Sequence, residues 1–197
     1  MDHPAASFRA CAIVIGASAG GVEALKPLLS ALTPRSPPIM VVVHIPRQQP
    51  SLLATIFSQS CPGPVREAVD KMPLHPGEVY FAPPDYHLLV ERGPSLALSI
   101  DDPVQYCRPA IDVLFESAAD VYGADLVAIV LTGNNDDGAA GLAAVRRRSG
   151  RVIVQDPASA QGSTMPAAAL RRVPDAQVWS LPEIAGFIAS VVMKEIQ

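Results

Sequence analysis

The stretch that decides the fold is CAIVIGASAGGVEAL, Cys11 to Leu25. It runs from an apolar segment through a turn of small residues, Gly16-Ala17-Ser18-Ala19-Gly20-Gly21, into a helical pattern. A strand that enters a helix through glycines opens a parallel α/β sheet. Such a turn cradles a phosphate or mounts a serine nucleophile. A dinucleotide loop needs a glycine at the middle of G-x-G-x-x-G, where the backbone meets the pyrophosphate. Ser18 stands there instead. The acidic residue expected about 20 residues further on is also missing, and the second strand ends in His44. A P-loop needs Lys after Gly21, where Val22 stands. The pattern that is met is G-x-S-x-G, Gly16 to Gly20, which lifts a serine hydroxyl to the carboxyl edge of a sheet. A helix starting near Gly20 turns its N–H groups and positive dipole end toward a developing oxyanion. Taken alone, the pentapeptide also fits a glycine turn that simply packs closely on the sheet.

Outward from this turn, short β-rich runs alternate with helical patterns. Strands are expected at Ala12–Ile15, Ile39–Val43, Leu126–Leu131, Val152–Val154 and Gln177–Trp179. Helices are expected at Val22–Leu32, Leu52–Ser58, Ala110–Val121, Ala139–Arg148, Pro166–Leu170 and Ile184–Met193. Apolar runs without alternation suit parallel strands covered on both faces. Val79–Ala82, Tyr86–Glu91 and Ser95–Ile100 are short and closely spaced, joined by Pro83-Pro84-Asp85 and Arg92-Gly93-Pro94, and read as antiparallel hairpin pieces. The expected fold is α/β: a doubly wound, mostly parallel sheet with helices on both faces and an antiparallel hairpin insertion.

The 197 residues fit one domain, and 49% hydrophobic with 17% charged residues describes a globular chain. A net charge of −4 gives no nucleic-acid footprint. Arg146-Arg147-Arg148 reads as a solvated helix end. Cys11, Cys61 and Cys107 show no CxxC spacing, which argues against a disulfide framework or zinc site and for a reducing cytoplasm. MDHPAASFRA is not laid out as a signal peptide, and no apolar run reaches the roughly 20 residues needed for membrane insertion.

Ligands of doubly wound sheets bind outside the carboxyl ends of the strands. Ser18 and His44 follow the first two strands, so neighbouring strands bring them side by side. Of the other histidines, His3 lies in the terminal arm, His75 in a turn, and His87 at a half-exposed position of a hairpin strand. His44 is therefore the candidate general base. Such a base needs an acid to fix its tautomer. LVAIVLTGNNDDGAAGL supplies Asp136 and Asp137 after a third strand, one as partner of His44 and the other as cap of the Ala139 helix. Spacing does not choose between them. The order Ser, His, Asp excludes an ordinary α/β-hydrolase unless the acid is Asp70 or Asp85.

Six blocks, IGASAGG, HIP, PGEVYFAPPDYHLLV, RPAIDVLFESAA, VLTGNNDDGAAGL and VQDPASAQGSTMPAAAL, occur in order between Ala12 and Val192. In them the sequence resembles the catalytic domain of the CheB family of chemotaxis receptor methylesterases. The resemblance implies hydrolysis of γ-glutamyl methyl esters on methyl-accepting chemotaxis receptors, with release of methanol, and often deamidation of receptor glutamines. It places the nucleophile on Ser18, the base on His44 and the acid on Asp137, with Ala19 N–H and the loop at Asn134 as oxyanion donors. It implies no cofactor and no metal.

Ala19 stands where the family commonly has Thr. Asn134 and Asn135 stand for Met and Gly, Asp136 for Asn, and Cys107 for a His before Arg-Pro. No role passes to Cys107, and Arg108 reads either as a contact for acidic receptor surface or as structure. Residues 1–10 are expected to form an N-terminal arm and 11–197 the catalytic domain, without the family's receiver domain. A separate receiver protein or a methyltransferase would then be a regulatory partner. The competing classes are an esterase of a non-chemotaxis sensory pathway, a non-catalytic receptor-docking module and, last, a nucleotide-binding protein.

Overall fold

The structure, a computed structural model, describes residues 9–45, 50–93 and 95–194. His3, Pro46 and Pro94 lie outside them. The elements in chain order are β1 Arg9–Ala10, β2 Ala12–Ala17, α1 Gly21–Ser30, β3 Ile39–Val43, α2 Leu53–Phe57, β4 Val65–Glu67 and β5 Val79–Phe81. There follow β6 His87–Glu91, β7 Ser95–Ser99, α3 Ile111–Tyr122, β8 Leu126–Val130, α4 Ala139–Arg147 and β9 Arg151–Gln155. α5 Thr164–Arg172, β10 Gln177–Trp179, α6 Leu181–Ser190 and β11 Val192–Met193 complete the described chain.

A parallel sheet of seven described strands has the order β10-β9-β8-β2-β3-β5-β4. β2 pairs with β3 on one side and β8 on the other. The chain thus winds outward from β2 in both directions, which makes the carboxyl end of β2 the topological switch point. Side chains of β2 alternate between two cores. Ala12 and Val14 pack with α3, α4 and the hairpin, while Ile13, Ile15 and Ala17 pack with α1, α2 and α6. Every residue of β2, β3 and β8 is buried, so their sequences carry continuous apolar runs. Each large aliphatic side chain withdrawn this way contributes about 1.5–3 kcal/mol.

β6 and β7 form the antiparallel hairpin, in register His87↔Ser99 to Glu91↔Ser95. Val79–Phe81 is not part of it. This strand pairs in parallel with β3 and with the short edge strand β4, which the sequence reading did not identify. Its three residues are all buried, as a strand covered on both faces requires. The last helix also begins earlier than expected, at Leu181, because Ser180 and Glu183 form a capping box. It ends at Ser190, and the following Val192–Met193 pairs with Arg9–Ala10. Among the described residues no helix is long and apolar enough to cross a membrane. The arginine run is an exposed helix end, as expected, with Arg146 paired to Asp175 and Arg148 to Asp120.

Candidate active site

Two glycines with different duties flank Ser18, Gly16 inside the end of β2 and Gly20 in the turn that follows. Gly16 faces Ile111 so closely that any Cβ would collide with that side chain. Its absence lets the N-terminus of α3 settle on β2. Gly20 caps α1 in the left-handed region at φ 79°, where an L side chain is strained. Between them, Ser18 donates its backbone N–H to the Thr132 carbonyl (2.9 Å), and its carbonyl accepts from Gly21 N (2.8 Å). The Thr132 hydroxyl donates to the Ala19 carbonyl (2.8 Å) and accepts from Gly162 N (2.7 Å). Buried Gln155 Oε1 accepts from Thr132 N (2.9 Å). The serine turn is thereby tied to the loops after β8 and β9.

Register sets the neighbours. Ala17 stands opposite Val43 in the β2–β3 pair, and His44 N–H donates to the Ala17 carbonyl (3.1 Å), so Ser18 and His44 emerge side by side. His44 Nε2 meets Asp137 Oδ2 at 2.8 Å, with Asp137 fully buried and the His44 side chain 13% exposed. Asp137 also accepts from Ile111 N (2.7 Å) and Asp112 N (3.0 Å), the first N–H groups of α3. Three donors, two of them at a helix N-terminus, hold this carboxylate in place. Gly138 and Gly141 N–H donate to Asp112 Oδ1 (2.9 and 2.7 Å). Asp112 thus anchors the start of α4, a duty the sequence reading had assigned to one of the loop aspartates. Asp136 is exposed and lies 3.8 Å from Arg171.

The other ring nitrogen, Nδ1, faces Asn135 Nδ2 at 3.1 Å and the Cys107 sulfur at 3.9 Å. Asn135 Oδ1 accepts from Asp137 N (3.3 Å), which turns the amide N–H toward the ring. Among the described residues no hydrogen bond joins the Ser18 hydroxyl to His44. Burial of the ring works against its proton, but the hydrogen bond to Asp137 and the contact with Cys107 outweigh it, and the His44 pKa is pushed up to about 9. The Asn135 N–H opposes this by favouring a neutral ring with its lone pair on Nδ1. Burial raises Asp112 to about 6, assisted by the Asp137 charge and opposed by the Gly141 and Gly138 N–H groups.

Sequence reasoning thus located Ser18, His44 and Asp137 at three adjacent strand ends. Ala19 and Asn134 are both exposed at the rim. It missed Asp112, Asn135, Thr132 and Gln155 as supports of the site. Asp112 carried only the weak signal of an acid in a first helical turn. His87 is a correction: it is 1% exposed, accepting from Ala110 N at Nδ1 and bonding the Asp102 carbonyl through Nε2, both at 3.2 Å. It is a satisfied core histidine because α3 lies against β6. Arg108 is structural as well, held by Asp85 and by the Ile100 and Asp101 carbonyls. One donor atom each from His44, Cys107 and Asp137 lie within 4.8 Å of one another, the one such group of ligating side chains among the described residues.

Comparison with known proteins adds to this geometry. The family model for the CheB methylesterase matches residues 13–188. A chain of Leptospira interrogans, named as a protein-glutamate methylesterase/protein-glutamine glutaminase, is 42% identical over 175 residues, which are 88% of this chain and 91% of that one. An Anaeromyxobacter dehalogenans protein of the same name is 39% identical over 91% of this chain, which spans only 52% of that protein's length. The crystal structure of the Thermotoga maritima CheB methylesterase catalytic domain superposes with a TM-score of 0.87 at 30% identity, covering 91% of this chain and 97% of that one. By family model, identity and fold together, the chain belongs to the CheB methylesterase family.

Proposed function

We propose that this chain hydrolyses γ-glutamyl methyl esters on the cytoplasmic part of methyl-accepting chemotaxis receptors, with Ser18 as nucleophile, His44 as base and Asp137 as the acid that orients it. The observation that carries the reading is the buried His44–Asp137 pair at the strand end next to the G-x-S-x-G turn. Asp137 occupies Nε2, so Nδ1 is the nitrogen that takes the Ser18 proton. Ser18 Oγ attacks the ester carbonyl, the imidazolium returns the proton to the departing methoxide, and methanol leaves. Water then repeats the cycle on the acyl-enzyme and frees the glutamate. The Asn135 amide must withdraw from Nδ1 for the first step.

Ala19 N–H, next to the nucleophile and just ahead of the Gly20 cap of α1, is the oxyanion donor in this reading, and Asn134 supplies the second from the facing loop. Losing one such donor costs roughly 10²–10³-fold. Receptor glutamine is a second substrate of the same acyl chemistry, ammonia leaving in place of methanol. The relatives' names, which pair methylesterase with glutaminase, support that extension.

The test is methanol release from carboxyl-methylated receptor fragment by the unaltered chain and by folded Ser18→Ala. The expected result is release that falls by roughly 10⁴–10⁶-fold in the variant. Equal rates would remove Ser18 from the mechanism, and no release by either would sink the substrate assignment.

A further inference from the structure

We infer that Cys107 and His44 form a binding site for a thiophilic divalent cation, of which Zn²⁺ is the representative, and that occupancy switches the esterase off. The inhibitory consequence rests on the function proposed above; the binding itself does not. Cys107 Sγ lies 3.9 Å from His44 Nδ1. A tetrahedral zinc with Zn–S near 2.3 Å and Zn–N near 2.0–2.1 Å separates these atoms by about 3.6 Å, so closing around the ion takes a shift of a few tenths of an ångström. Among the described residues no strong bond holds the thiol, whereas Nδ1 is engaged by the Asn135 amide at 3.1 Å. The thiol donates weakly to the Gln105 carbonyl at 3.5 Å and receives Asn135 Nδ2 at 3.5 Å.

The rest of the surroundings suits a metal. Zinc-bound histidines generally donate their second ring N–H to a carboxylate, which fixes the tautomer and makes the ligating nitrogen more basic. His44 already does this through Nε2 to Asp137. Asp137 is fully buried and accepts from two backbone N–H groups besides, so it serves as the outer partner and not as a ligand. Asn135 must leave Nδ1, which costs one hydrogen bond. Binding displaces the Cys107 thiol proton, and from a protonated ring the Nδ1 proton as well, giving a thiolate–Zn–imidazole unit with the remaining positions open to water. Thiolate with imidazole selects zinc-like ions over Mg²⁺ and Ca²⁺. Nδ1 is also the nitrogen that must take the Ser18 proton, so a bound ion and a working base exclude each other.

Two readouts test this on the full 197-residue chain. Saturating Zn²⁺ is expected to lower methanol release by about 10²-fold or more, the worth of general-base assistance. EDTA restores the rate, Mg²⁺ has no effect, and Cys107→Ser keeps the rate it shows without metal. In a Ser18→Ala background, Co²⁺ is expected to give a thiolate-to-cobalt charge-transfer band that disappears in Ser18→Ala/Cys107→Ser. This arm needs no activity, so it decides binding even if the esterase assignment fails. Inhibition of Cys107→Ser equal to that of the unaltered chain, an absent cobalt band, or a band that survives loss of Cys107 would overturn the inference.

Discussion

Asn135 is where the site departs most from what its motif suggests. G-x-S-x-G and the strand-end histidine are local signals, and the structure places Ser18 and His44 at adjacent strand ends. The groups on His44 Nδ1 are not local. Cys107 reaches it across 63 residues of chain and Asn135 across 91. Neither distance leaves a periodic trace, so only the folded chain brings them together. In the mechanism proposed above, the Asn135 N–H covers the lone pair that accepts the Ser18 proton, so each turnover begins by breaking that bond. Asn135→Gly removes the cost. Above the His44 pKa, where the ring is neutral in both proteins, the variant's kcat/KM is expected to rise by about 2- to 10-fold, the worth of one ordinary hydrogen bond. Steady-state methanol release near pH 10 measures it, and a fall in rate would mean that Asn135 assists the base.

Helix α3 is the element that holds the Asp137 carboxylate. Its first N–H groups hold Asp137, and its Asp112 side chain holds the start of α4. The helix was legible as an amphipathic run, whereas this double clamp was not, because a first-turn acid looks the same in sequence whether it faces water or a neighbouring helix. Val79–Phe81 teaches the same lesson for strands. Proline-rich turns beside it suggested a hairpin, but partner choice within a sheet is set by packing between residues far apart in the chain. Asp112→Ala strands the Gly138 and Gly141 N–H groups and is expected to cost about 1–3 kcal/mol. Asp112→Asn keeps an acceptor for both. Because the folded pKa of Asp112, about 6, lies above the ordinary value of 3.8, its ionisation opposes folding above that range. Asp112→Asn should therefore gain stability over the unaltered chain as pH rises from about 4 to 6, and match it below. Urea unfolding at several pH values checks this, and a gain that shrinks with pH would contradict it.

Across the whole molecule, fold and chemistry pull on His44 in opposite directions. The folded chain holds the proton more tightly than the unfolded chain, about 9 against 6.5. The pair therefore adds stability that is complete below about pH 6.5 and is lost as pH rises through 9. With His44 as the proposed base the free enzyme needs the neutral ring, so kcat/KM is expected to climb over the same interval. Paired pH series of unfolding free energy and methanol release would show the two curves crossing. Stability that rises across the interval, or activity that falls, would contradict the protonation assigned to His44.

The mechanism proposed above stands or falls with Ser18 as the nucleophile, served by His44 and Asp137. It is tested most directly by treating the chain with a fluorophosphonate and mapping the adduct by peptide mass spectrometry. One stable adduct is expected on Ser18, lost in folded His44→Ala. An adduct on Cys107, or an unlabelled Ser18 in a chain that still releases methanol, would contradict it.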